Sequence, residues 1–346
     1  MNRWLTALTI GLVATAVTAG AARADGLPVV GIEAGPAGVA AADGDVRYVT
    51  LRAGGGTLLA KIAQSGGEVI RSAFLRDRFS VPVVAFDGST SGLSNDGRTL
   101  VLVRPRVAFP KGRTAFAVFD ANRLRRPQRL TLDGDFSFDA LSPDGRLLYL
   151  IEYIKPQDAT RYRVRALDLD NGRFLPGTII DPREPDEAMR GFPITRETSS
   201  DGRWAYTLYD GAGSGHPFVH ALDTTGRTAA CIDLDALTGR NDLYDLRLAL
   251  APDERTLEVR TGDKPLTVID TTTFAVSEPE PAPSPTAAPP ATRPTRRAAT
   301  TQEGRESGTS PWPLVAALGG GAALAAVMAA GALAVRRRKA GLAGGS

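Results

Sequence analysis

An all-β fold, built from about five copies of one four-stranded unit, is predicted for this chain by three observations. Short apolar segments alternate with polar residues at a period of two, as in "RYVTLR", "TLVLVRP", "RLLYLIEY", "WAYTLYD" and "RTLEVR". An acidic turn recurs at a nearly constant interval. No long amphipathic helical pattern interrupts residues 27–276.

The turn is clearest at Leu141-Ser142-Pro143-Asp144-Gly145-Arg146, which runs into "LLYLI". Leu93-Ser94-Asn95-Asp96-Gly97-Arg98 precedes "TLVLV", Ser199-Ser200-Asp201-Gly202-Arg203 precedes "WAYTL", and Leu250-Ala251-Pro252-Asp253-Glu254-Arg255 precedes "TLEV". A weaker first copy is Ala42-Asp43-Gly44-Asp45. An Asp carboxylate can accept backbone N–H bonds inside such a turn, and Gly tolerates positive φ, so each copy bends the chain between two strands. Glu254 replaces the Gly in the fifth copy, and that turn is expected to differ. The aspartates at 43, 96, 144, 201 and 253 lie 53, 48, 57 and 52 residues apart. The last four copies are each followed by a second acidic turn, "VFDANR", "ALDLDNGR", "ALDTTGR" and "VIDTTTF". Four strands repeated at this period describe a β-propeller blade, because radial repetition lets many short sheets bury both faces. Residues 28–33 are expected to pair into the last blade and close the ring, since "TFAV" at 273–276 ends that blade early.

The motif Ser142-Pro143-Asp144-Gly145-Arg146 before Leu148-Tyr149, with Ala166-Leu167-Asp168 and Asn171-Gly172-Arg173 behind it, resembles the repeat of secreted bacterial β-propellers of the YVTN and TolB-like kind. The resemblance covers most of residues 40–276. It implies a propeller and no particular activity, because many functions share the repeat.

The ends of the chain read as targeting. Arg3, an apolar stretch from Trp4 to Ala19 and the small-x-small site Ala22-Arg23-Ala24 form the pattern of a signal peptide over residues 1–24. From Ser277 prolines recur at 279, 281, 283, 285, 289, 290 and 294, so residues 277–311 read as a disordered Pro-rich linker. Residues 312–335 read as a transmembrane helix, with Trp312 at the interface and no charge from Leu314 to Val335. Arg336, Arg337, Arg338 and Lys339 open a short basic tail, 336–346, expected on the cytoplasmic side of the plasma membrane. The tail resembles that of a sortase substrate, but the Leu-Pro-x-Thr-Gly motif is absent upstream. The expected protein is therefore a single-pass bacterial membrane protein with its N-terminal domain extracellular. Glycines 319–321 and 331 allow helix packing, but the spacing does not specify an oligomer.

The charge balance excludes one partner class. Removing Arg3, Arg23 and the four cations at 336–339 from the formal +3 leaves −3 over residues 25–335. Nucleic acid is accordingly not an expected partner, since backbone binding needs a concentrated positive face. The densest basic stretch, Arg123, Arg125, Arg126 and Arg129, reads first as a solvated loop and second as a polyanion site.

Catalytic groups are scarce. His216 and His220 are the two histidines, and neither belongs to a nucleophile elbow or a His-Glu-x-x-His motif. The glycine-rich loop 211–215 lacks the Gly-Lys-Ser/Thr ending of a phosphate loop. "DLDNG" at 168–172 is one residue short of a calcium loop and reads as a hairpin turn. Asp181, Glu184, Asp186 and Glu187 read first as a solvated acidic loop and second as a cation or partner contact. Cys231 reads as a buried free thiol, and Tyr149, Tyr153, Tyr206 and Tyr209 as inter-blade packing. No catalytic, cofactor or metal residue is assigned and no cofactor is expected. The function expected is a surface-anchored module binding a protein or envelope component. The alternative is a propeller enzyme of the lactonase or sugar-oxidising kind, which the resemblance allows and which needs carboxylates gathered at the axis.

Overall fold

In the computed structural model the described residues are 37–279, apart from 156, 187–188 and 213–215. The signal-peptide, linker, transmembrane and tail readings, and the ring-closing strand 28–33, lie outside them. Among the described residues no helix is long and apolar enough to cross a membrane.

The strands form five antiparallel sheets, four with four strands and one with three. Blade 1 holds β1 (Val39–Ala40), β2 (Val46–Ala53), β3 (Gly56–Ala63) and β4 (Val69–Leu75); blade 2 holds β5 (Thr99–Val103), β6 (Arg113–Asp120) and β7 (Gln128–Asp133). Blade 3 holds β8 (Phe136–Leu141), β9 (Leu147–Tyr153), β10 (Tyr162–Asp168) and β11 (Arg173–Phe174). Blade 4 holds β12 (Pro193–Thr198), β13 (Trp204–Tyr209), β14 (Phe218–Asp223) and β15 (Thr228–Asp233). Blade 5 holds β16 (Leu246–Leu250), β17 (Thr256–Thr261), β18 (Lys264–Asp270) and β19 (Val276–Ser277).

Each blade packs on the next in chain order through its own apolar cluster. Tyr48 and Leu59 meet Leu100 and Phe119 between blades 1 and 2, and Phe116 meets Phe138 and Leu150 between blades 2 and 3. Tyr149 and Val164 meet Ala205 and Leu222 between blades 3 and 4, and Ile194 and Leu208 meet Leu248 and Val259 between blades 4 and 5. The result is the propeller-like fold anticipated from the repeat.

The turns show why the motif recurs. In the second copy the Ser94 hydroxyl donates to Asp96 Oδ1 at 2.6 Å, while Asp96 Oδ1 accepts the Arg98 N–H and Ser94 Oγ accepts the Thr99 N–H. Ser142/Asp144 and Ser199/Asp201 repeat this set. Gly145 combines φ +67° with close packing: an added Cβ would sit 2.4 Å from Thr99 Oγ1 of the neighbouring turn. The expectation that the fifth turn differs is corrected. Glu254 adopts φ +58° with the same backbone bond to Ala251, and its carboxylate accepts the Ser200 N–H of blade 4 at 2.6 Å. That inter-blade bond accompanies a conformation in which Gly would be unstrained.

The tyrosines four residues beyond the turn glycine join blades. Tyr48 donates to the Ala121 carbonyl at 3.1 Å and Tyr149 to the Thr224 carbonyl at 2.7 Å, each reaching the next blade. Burial pushes the Tyr149 hydroxyl well above its usual range, so it remains a donor. Tyr149→Phe should lower stability by about 1 kcal/mol in urea denaturation, the net worth of one hydrogen bond plus an orphaned buried carbonyl. A change below a few tenths would show the bond to be structurally idle.

Candidate functional site

Because neighbouring strands are antiparallel, the connections fall alternately at two ends of the blades. One end carries the short turns 41–45, 142–146, 199–203 and 251–255, with the second set of turns beside them. The other carries the long connections 76–90, 104–112, 154–161, 175–192, 210–217 and 234–245. Loops held on a rigid scaffold are where binding residues concentrate, so the long-loop end is the candidate site.

At this end a hairpin of blade 2 reaches the inner strand of blade 4. Blade 2 lacks a regular first strand; instead residues 82–91 fold into a hairpin, with Val83 bridged to Thr90 and the Val84 N–H bonded to the Ser89 carbonyl. The tip lies on the free edge of β12, where the Phe86 and Asp87 N–H groups donate to the carbonyls of Pro193 and Ile194 at 3.0 Å. Phe86 meets Phe192 and Tyr244 edge-on, with centroids 6.3 and 5.3 Å apart. Val81, Val83, Val84 and Ala85 are all buried. Blade 2 thus reaches blades 4 and 5, a connection that strand periodicity did not reveal because "SVPVVAFDGS" reads as one apolar run.

Two arginine–aspartate pairs are buried. Arg196 of β12 donates to the Asp139 carboxylate and carbonyl of β8, and its Nε donates to Thr207 Oγ1 at 2.9 Å. Arg106 is wholly buried, bonds Asp135 at 2.5 and 2.6 Å and Ser137 at 3.2 Å, and lies 5.4 and 5.2 Å from the ring centres of Phe109 and Tyr153. Glu197, by contrast, has its carboxyl raised by burial and then by the Asp87 charge. Among the described residues no three His, Cys, Asp or Glu side chains converge so as to hold a metal ion.

One accessible concave surface lies between blades 1 and 2. A cleft of about 510 Å³ is lined by Arg52, Arg76, Arg78 and Arg104, with Asp77 as the one carboxylate and buried Arg106 beneath. Arg129 and Arg104 both reach Asp77, at 2.5 and 3.7 Å, and both lie over the Phe79 ring. Val107 projects at the rim, 77% exposed. These arginines are scattered along 52–129, so their convergence had no local signature.

The residues singled out from sequence take other places. His220 is buried on β14 opposite Cys231, and His216 is exposed in the 210–217 loop. The buried-thiol reading of Cys231 is corrected: it is half-buried, because β15 is the outer strand of blade 4. Asp181 is a structural anchor, since its carboxylate accepts the Cys231 N–H at 2.9 Å and pairs with Arg183 at 2.6 Å. Burial opposes its ionisation, but the Arg183 bonds outweigh that and hold it at about 2. Glu184 and Asp186 stay exposed, and Glu187 lies outside the described residues. Asp168 caps its own hairpin, accepting the Asp170 N–H and Asn171 Nδ2, as the turn reading of "DLDNG" required. Tyr149, Tyr153, Tyr206 and Tyr209 are buried in the clusters between blades.

No protein-family profile matches the chain, and no curated protein matches it in sequence. Among solved structures it is similar to TolB from Acinetobacter baumannii at 15% identity, over 67% of this chain and 50% of that one, with TM-score 0.36. It is similar to the β-propeller domain of Cps50 (Swd1) from Myceliophteria thermophila at 10% identity, over 69% and 66% of the two chains, with TM-score 0.39. An oligogalacturonate lyase in complex with manganese is similar at 10% identity, over 70% and 63%, with TM-score 0.43. The chain thus spans between half and two thirds of the length of these proteins.

Proposed function

We propose that this chain is a non-enzymatic binding module, a propeller held at the bacterial cell surface by its linker and C-terminal helix, whose long-loop end docks an acidic protein or envelope component. The observation that carries the reading is the cleft between blades 1 and 2, where four exposed arginines surround the single carboxylate of Asp77. Arginine forks suit carboxylate-bearing surfaces, and the exposed Val107 adds an apolar contact at the rim. The fate of the carboxylates supports binding over catalysis: the hairpin tip covers the edge of β12, and Asp139 and Asp135 are committed to Arg196 and Arg106.

In-cell crosslinking of the full-length protein tests this reading, with a control that keeps only the linker and anchor. A partner captured through the propeller should be reduced about tenfold by Arg76→Glu with Arg104→Glu, since two favourable charge contacts become repulsive. Capture unaffected by that reversal would move the docking surface elsewhere. A soluble activity on lactones or sugars, retained in the charge-reversed protein, would replace the binding reading with the enzymatic one.

A further inference from the structure

The opposite, short-turn end of the blades carries a second feature, independent of the long-loop cleft, in the turns of blade 2. In blades 3 and 4 the arginine after the turn glycine is matched to an acid in the adjoining second turn: Arg146 reaches Asp170 at 3.3 Å, and Arg203 bonds Asp223 at 3.1 and 2.6 Å. In blade 2 the acid equivalent to Asp223 is Asp120, but Arg123 takes it at 2.8 Å. Arg98 is left 3.9 Å from Asp96, with its side chain 80% exposed. Arg125 and Arg126 are exposed and have no acidic partner among the described residues.

The backbone of this turn departs as well. All four later second turns share one left-handed residue, at Leu124 (φ 49°), Gly172 (68°), Arg227 (56°) and Phe274 (60°). Its N–H donates to the carbonyl of the aspartate four residues back each time. Blade 2 adds one residue to this frame. Ala221 pairs with Ala230, nine positions on, whereas Val118 pairs with Gln128, ten positions on. The enlarged turn puts Arg126 at φ 46°, a left-handed residue without counterpart in the second turns of blades 3, 4 and 5 and one that Gly would accept without strain. The turn holds this shape because Leu124 is buried in the core and Asp120 Oδ1 accepts the N–H groups of Asn122 and Arg123. Strain retained at an exposed cation points to use by a ligand.

These arginines, with Asn122 and Gln128, line an open cleft of about 640 Å³, whose one carboxylate, Asp120, is taken by Arg123. We infer that this cleft binds a phosphate-bearing chain, with Arg98, Arg125 and Arg126 supplying the contacts. A single carboxylate is satisfied by one arginine fork, whereas three guanidinium groups around one cleft match successive multi-oxygen phosphates.

The test uses the full-length protein in detergent and inorganic polyphosphate as the probe, with binding followed by calorimetry. Arg125→Ser with Arg126→Gly should weaken binding about tenfold at low salt and reduce its salt dependence, as expected for the loss of two phosphate contacts. Its melting temperature should stay level or rise, because Gly fits the left-handed position. Arg146→Ser, which removes a matched arginine from blade 3, should leave binding within about twofold. The basic residues 336–339 are common to every variant, so they do not affect the comparison. Equal polyphosphate binding by the double variant would overturn the site. Equal affinity for poly-glutamate of the same charge would overturn the preference for phosphate. Capture on phosphatidylglycerol vesicles that depends on Arg125 and Arg126 would support the site with a lipid headgroup as the phosphate source.

Discussion

Arg196→Ala should destabilise the propeller by about 3–5 kcal/mol, the range for removing one partner of a buried ion pair. Arg196 and Asp139 are 4% and 1% exposed, and they link the inner strands of blades 3 and 4. Asp139 Oδ2 already lacks a hydrogen-bond partner, so the remaining carboxylate would have no compensation on that side either. Thr207, also buried, would lose its bond from Arg196 Nε. Urea denaturation of the single variant measures the loss. The double variant Arg196→Met with Asp139→Leu should recover most of it, because both charges then leave the interior. A single-variant loss below about 1 kcal/mol would show the pair to be solvated in solution and the inner strands looser than described.

Stability should fall as the pH is lowered from about 6.5 to about 4, with His220 as the main cause. Burial lowers its pKa from 6.5 to about 4; Arg196 adds to the shift, while Asp139 and Asp181 oppose it. Its Nε2 has no partner, and the ring meets Tyr209 edge-on at 6.3 Å. Between those two pH values the unfolded chain binds a proton at this site and the folded chain does not. The native state therefore has its full advantage above 6.5 and loses up to about 3 kcal/mol by pH 4. Thermal melts across this window should slope steeply for the natural protein and shallowly for His220→Gln. An unchanged slope in that variant would place the titration elsewhere. Asp181, held at about 2, contributes in a separate window: its stabilisation is lost only as the pH falls below the usual carboxylate value.

Much of the architecture could be read locally because the repeat is a local device. Ser142, Asp144 and Gly145 form their turn with bonds spanning two to five residues, so their chemistry is visible in a six-residue window. The strands behind the turns show their alternation for the same reason, and the blade count follows from the period. The basic cluster at 123–129 was visible too, but its meaning was not: Arg129 points to Asp77 and Arg123 to Asp120, leaving Arg125 and Arg126.

What the amino-acid sequence determined by itself, then, is the class of fold, the number of units and the turn chemistry. These depend on contacts within a few residues of each other. Tertiary structure alone decided the rest. Hairpin 82–91 joins blade 2 to blade 4 because its tip finds the free edge of β12, more than one hundred residues away. Arg106 and Arg196 are buried because Asp135 and Asp139, on another segment, compensate their desolvation. The arginines of the blade 1–2 cleft converge only when two neighbouring blades pack. A charge in a sequence carries no record of whether its partner lies across a core or in water, and that choice separates a structural ion pair from a binding surface.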